Sequence, residues 1–177
     1  MERNGGKDVD MNEIEFERLY ESCYPWIRSV AYRMVGPNDF LDVSQEAFAN
    51  AWRFRHSFRA QAQEKTWIYR IAVNAIFDFL RKKKRETESR SFASIDSFSS
   101  PQKSVCDSSE LEKALGLLTT DERMLVVLHY FEDLPFKDIS VVLKIPEGTV
   151  KSRLFAVREK LRDFMNPHVT EKIYEQS

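Results

Sequence analysis

The stretch IPEGTVKSRLFAVREKL, residues 145–161, decides how the chain is read. Wound as a helix at about 100° per residue, it gathers Val150, Leu154, Val157 and Leu161 within roughly 60° of arc, a stripe suited to burial. The opposite side carries Ser152, Phe155, Ala156 and Glu159, with Lys151 and Arg158 on one flank and Arg153 and Lys160 on the other. A phenylalanine on the wet side of a basic helix needs a reason. Just upstream, Phe136, Ile139, Val142 and Leu143 are apolar at helical spacing, Lys144-Ile145 turns the chain, and Pro146 suits the first position of the next helix. A short helix, a tight turn and a longer basic helix is the plan of a helix-turn-helix, whose first helix crosses the DNA backbone and holds the second in the major groove. Phe155 then packs on a thymine methyl while Lys151, Ser152 and Arg153 reach phosphates or base edges. The alternative is that Phe155 covers a neighbouring helix and the charges are merely solvated.

Working outward, Gly (5) and Pro (6) are few and apolar periodicity is long-ranged, so the expected fold class is all-α. A first helix is expected from Asn12 to Val35, with Ile14, Leu19, Cys23, Ile27, Val30 and Met34 inward, a kink at Pro25 and a stop at Gly36-Pro37. A second opens near Asp39 and turns Val43, Ala47, Phe48 and Ala51 inward until Phe54; a third starts near Lys65 and runs into RKKKR, residues 81–85. Residues 86–109 are serine-rich and aperiodic, the texture of a flexible linker. Helical pattern resumes at Glu110, and Thr119 with Glu122 three residues on is a capping box for a helix reaching Phe131. The chain thus divides into two small helical domains, 12–85 and 110–165, joined by the linker 86–109 and followed by a tail, 166–177.

The net charge of −1 conceals a pattern. Residues 1–50 carry −5, 51–90 carry +7, 91–133 carry −5, 134–162 carry +4 and the remainder −2. Two basic blocks in a neutral chain suit two separate polyanion contacts, or ordinary solvated surface. Cys23 and Cys106 are far apart and the three histidines scattered, so neither a metal site, a cofactor nor a disulfide framework is expected. With no membrane-length apolar run and no signal-peptide core, a cytoplasmic location is expected.

From about Phe16 to Arg162 the chain resembles the extracytoplasmic-function (ECF) sigma factors of the bacterial sigma-70 family. DVSQEAFANAWR (42–53) is similar to their second conserved region, SFR (57–59) with TWIYRIAVNAIFDFLRKKKR (66–85) to the segment after it, and LPFKDISVVLKIPEGTVKSRLFAVREKLR (134–162) to their carboxy-terminal helix-turn-helix. The resemblance implies a non-enzymatic transcription initiation factor with no small-molecule substrate. Its partners would be core RNA polymerase, through the largest-subunit clamp helices and the flap, and promoter DNA as duplex and as melted strand. A sequestering anti-sigma factor, membrane-associated, is also implied.

Carried over position by position, the resemblance assigns polymerase docking to Asp42, Val43, Gln45, Glu46 and Phe48, carboxylates beside an apolar anchor. Capture of the minus-ten strand, which needs aromatic platforms, a base-edge reader and cations, falls to Phe58, Arg59, Trp67, Tyr69, Arg70, Asn74, Arg81, Lys82, Lys83, Lys84 and Arg85. Trp67 equally fits a core position. Minus-thirty-five duplex recognition falls to His129, Thr149, Lys151, Ser152, Arg153, Phe155 and Arg158. Two stretches depart from the family pattern: residues 60–64, AQAQE, replace its usual glycine-containing loop, and Ala156 stands where many members carry arginine. Competing readings are a free-standing helix-turn-helix activator, which leaves the aromatic, basic third helix unexplained, and an enzyme, for which no phosphate loop, nucleophile elbow or metal-spaced cluster is present.

Overall fold

The computed structural model describes residues 11–58, 63–93 and 110–165. Among these, every regular element is helical: α1 (Glu13–Val35), α2 (Phe40–Phe54), α3 (Glu64–Ala93), α4 (Glu110–Gly116), α5 (Thr120–Val126), α6 (Phe136–Leu143) and α7 (Glu147–Met165), with a 3₁₀ turn at Arg55–Ser57 and a π-helical turn at Val127–Phe131.

Local chemistry sets the boundaries. Asn12 caps α1 in a capping box: its side chain accepts from the Glu15 N–H at 2.9 Å, and Glu15 accepts from the Asn12 N–H at 2.9 Å. The helix runs unbroken through Pro25, on an exposed side where an unpaired carbonyl meets water, and ends at Gly36 with φ of 88°. Asp39, at the N-cap of α2, makes no capping bond; its carboxylate instead accepts from Lys83 Nζ at 2.5 Å, tying α2 to α3. Lys144 takes the left-handed conformation, φ 56°, in the turn between α6 and α7.

Three expectations change. Ile14 is 63% exposed, and Phe16 takes the inward position in its place. α3 continues to Ala93, eight residues into the segment expected as linker; the rest of that segment lies outside the described residues. The helix after Thr119 is α only to Val126 and then widens, with the Glu132 N–H bonded five residues back to the Val127 carbonyl at 3.1 Å.

Packing makes the amino-terminal helices a three-helix unit. Leu19, Cys23 and Ile27 of α1 meet Ala47 and Ala51 of α2 and Ile68 and Ala72 of α3 in one core. The carboxy-terminal unit has its own small cluster, Leu118, Val126 and Val157. A further core spans both units: Val30 and Met34 (α1) and Val73 and Ile76 (α3) pack with Leu125, Leu128, Ile139, Val142 and Leu154. The two helical domains thus pack against one another across their described residues, with α3 in contact with α6. A polar pair closes the seam. The Ser29 hydroxyl donates to the Glu132 carboxylate at 2.5 Å, and the Arg33 guanidinium lies 4.0 Å from the Phe131 ring centre. Burial pushes the Glu132 carboxyl above the usual range, opposed by the Ser29 hydrogen bond and the nearby Arg33 charge.

The α5 capping box is a direct test of these boundaries. Glu122 accepts from the Thr119 N–H at 2.7 Å, and that bond, ahead of Lys160, holds its carboxyl below the ordinary range. Thr119→Ala is expected to cost about 1 kcal/mol in urea unfolding. Because the folded carboxyl is the stronger acid, Glu122's contribution is present above the ordinary carboxylate range and is lost as pH falls through the lowered value. An unchanged midpoint at neutral pH would show that the cap is not formed.

Candidate nucleic-acid interface

The α7 surface is built as the opening stretch demands. Val150, Leu154 and Val157 are buried, and Leu161 is half-buried. Pro146 stands one position ahead of α7, its carbonyl accepting from the N–H groups of Thr149 (2.9 Å) and Val150 (3.0 Å). On the other side Lys151, Ser152, Arg153, Phe155, Ala156 and Arg158 are exposed, with Thr149 half-buried at the amino end. Phe155 is 59% exposed, so it does not cover a neighbouring helix; its one cationic neighbour of note is Arg158, 5.5 Å from the ring centre. The Ser152 hydroxyl donates to the Thr149 carbonyl at 3.1 Å, and Lys151 pairs with Glu147 at 2.7 Å. Lys160 bonds Glu122 at 3.1 Å, fixing α7 to α5.

His129, also expected in this set, lies at the turn into α6. Its Nδ1 lies 3.2 Å from the Leu134 carbonyl and its ring packs 4.7 Å from Phe136, so it organises the turn that delivers α6. It sits half-buried on the π-helical turn.

The α3 surface divides more sharply. Asn74 is exposed and, with Phe77, Leu80, Arg81 and Lys84, lines a cleft of about 600 Å³ whose far wall is Thr120 and Asp121 of α5. Arg81 pairs with Asp78, Lys83 with Asp39 and Lys84 with Glu88 at 3.8 Å, while Lys82 and Arg85 are exposed. Exposed pairs of this kind contribute about 0–1 kcal/mol. The aromatic assignments need correction. Phe58 (4% exposed) and Trp67 (7%) pack edge to face at 5.5 Å inside the three-helix core and offer no face to a base. Tyr69 is stacked on Trp26 at 3.6 Å, with Cys23 beside its hydroxyl; burial first, then Cys23, pushes that hydroxyl to about 12. Burial likewise raises the Cys23 thiol. Arg70 is half-buried, and Arg59 with the 60–62 loop lies outside the described residues.

On α2 the acidic face is present but its anchor differs. Asp42, Gln45 and Glu46 are exposed together, as i, i+3, i+4 spacing requires. Val43 (2%) and Phe48 (7%) are buried, Phe48 against Tyr20 at 4.3 Å, and neither can touch a partner. Leu41, 45% exposed, supplies the apolar group beside the carboxylates. Its position was legible: it falls off the Val43–Ala47–Ala51 stripe and onto the Asp42–Gln45 side.

Known proteins match this layout. Residues 19–86 match the family model for sigma-70 region 2 and residues 108–161 that for sigma-70 region 4. The chain is 32% identical over 150 residues to the ECF RNA polymerase sigma-E factor of Haemophilus influenzae, covering 76% of this chain and 79% of that one. It is 30% identical over 176 residues to the ECF RNA polymerase sigma factor SigW of Bacillus subtilis, covering 90% of each. Among solved structures, the sigma factor RpoE from Bartonella quintana, crystallised with the anti-sigma factor NepR, shares the fold with a TM-score of 0.69 at 23% identity, over 86% of this chain and 97% of that one. CnrH in complex with the cytosolic domain of CnrY gives 0.65 at 22% identity, over 89% and 91%.

The buried and exposed phenylalanines separate core from contact. Phe58→Ala is expected to cost about 3–5 kcal/mol of stability, and Phe155→Ala to stay within about 0.5 kcal/mol of the parent in the same urea titration. Equal losses would place Phe155 in a packing role.

Proposed function

The chain belongs to the ECF sigma factors of the sigma-70 family, and from that membership we propose how its surfaces divide the work of transcription initiation. The exposed Asp42, Gln45 and Glu46, with Leu41 beside them, dock on the clamp helices of core RNA polymerase, while the carboxy-terminal unit reaches the flap. The α7 face, from Thr149 to Arg158, enters the major groove of the upstream element: Lys151, Arg153 and Arg158 hold phosphate or base edges, and Phe155 packs on a methyl group. Asn74 reads a base of the melted minus-ten strand, and the run Arg81 to Arg85 follows its backbone.

The observation that carries this reading is the order of surfaces along one chain: an acidic helix face, a basic helix bearing an exposed asparagine, then a helix-turn-helix whose outer side keeps a bare phenylalanine. A free-standing activator has no use for the first two. Each step is binding and strand separation, so no catalytic group is required. Ala156 removes a cation found in many relatives, so one phosphate or base contact fewer is made at the upstream element. An anti-sigma factor, membrane-associated, controls the free protein by covering the α2 face or the helix-turn-helix. No described helix is long and apolar enough to cross a membrane, and the proposed site of action is the cytoplasm.

Run-off transcription with core polymerase lacking any sigma factor, on a promoter library from the source organism, tests the reading. Defined start sites are expected only when the protein is added; none at any concentration would refute it. Asn74→Ala is expected to leave closed-complex formation intact and to reduce permanganate reactivity of the melted strand. Charge reversal at Asp42 and Glu46 together is expected to weaken polymerase binding at least tenfold at physiological salt, and unaltered binding would relocate the docking face.

A further inference from the structure

The cleft between α3 and α5 has a lining that a DNA strand alone does not account for. Asn74, Phe77, Arg81 and Lys84 stand at i, i+3, i+7 and i+10 on α3 and form one wall. At about 1.5 Å of rise per residue they set a base-edge reader, an aromatic ring and two cations in line, the cations roughly 10 and 15 Å from Asn74. Asp78 and Glu88, the carboxylates that pair with Arg81 and Lys84, are exposed, so both cations are only weakly engaged. The other wall is Thr120 and Asp121, exposed in the first turn of α5. A carboxylate there repels a phosphodiester backbone, but it accepts hydrogen bonds from sugar hydroxyls, and a 2′-hydroxyl is present only on ribose. The cleft measures about 600 Å³. Sites that enclose one small ligand run from about 300 to 1,000 Å³.

We propose that this cleft binds a free adenine ribonucleoside polyphosphate, with the base and phosphates on α3 and the ribose on α5. The Asn74 amide pairs with N6 and N7 of adenine, the pairing its geometry favours, and the base stacks on the half-buried Phe77. Asp121 accepts from the ribose 2′- and 3′-hydroxyls, with the Thr120 hydroxyl beside it. Arg81 and Lys84 carry the phosphates, at the distance from the base that an extended polyphosphate tail requires. One consequence rests on the reading of Asn74 and the Arg81 to Arg85 run as the strand-reading surface. Nucleotide and melted strand then use the same side chains and exclude one another, so nucleotide concentration sets how many free chains offer that surface. The binding itself needs only the cleft.

Equilibrium dialysis of labelled ATP against the full chain, with neither polymerase nor DNA present, tests the site. Saturable binding of one ATP per chain is expected. Unlabelled dATP is expected to compete about tenfold less well than ATP, the scale of one hydrogen bond to a charged group. Asp121→Ala is expected to bring ATP and dATP to equal affinity while leaving promoter-specific transcription unchanged. Arg81→Ala is expected to weaken ATP about tenfold and to keep the preference for ATP over dATP. Both side chains are exposed, and an unchanged urea midpoint confirms that each variant is folded. No saturable binding at millimolar ATP, equal competition by dATP in the parent chain, or inorganic triphosphate competing as well as ATP would overturn the site. A chain that binds ATP in the expected pattern but never initiates transcription counts against the promoter-factor reading and leaves the site standing. One that initiates but does not bind ATP removes the site alone.

Discussion

The contact of α3 with α6 is the constraint on which the rest of the structure depends. Val73 and Ile76 on one helix and Ile139 and Val142 on the other leave almost no exposed surface. At about 25 cal/mol per Å² of apolar area, such side chains are worth roughly 1.5–3 kcal/mol each when fully buried. That contact decides three things together. It joins two units that have separate small cores, it aims the outer face of α7 into solvent, and it sets Asn74 at the edge of a cleft.

Electrostatics are arranged to be exchanged. Lys83 is held by Asp39, Lys151 by Glu147 and Arg81 by Asp78, all at exposed or partly exposed sites where screening keeps pairs weak. The same cations belong to the two basic blocks expected to meet phosphate. Glu132 is different, since it is half-buried at the seam and held by a hydroxyl across more than a hundred residues of sequence.

Much of this was legible in residue order. The stripe of Val150, Leu154 and Val157 fixed both the burial of α7 and the exposure of Phe155, and the capping boxes at Asn12 and Thr119 follow from short-range chemistry. What could not be read is set by distance along the chain. Phe58, Trp67 and Tyr69 have the chemistry of base-stacking platforms, but neighbours on other helices, Trp26 among them, bury or cover their faces. Val43 and Phe48 likewise lie on the inward side of α2, while Leu41, one residue from Asp42, is the apolar group that stays outside. The seam between the units joins Ser29 to Glu132, and no periodicity within either segment announces it.

All three tryptophans, Trp26, Trp52 and Trp67, belong to the amino-terminal unit, whereas helical circular dichroism reports both. Equilibrium urea unfolding followed by the two signals on one sample therefore asks directly whether the units share a core. The account predicts one cooperative transition with coincident midpoints. A first loss of helicity with unchanged tryptophan emission, followed by a separate fluorescence transition, would mean that the carboxy-terminal unit comes apart on its own and would contradict the shared core.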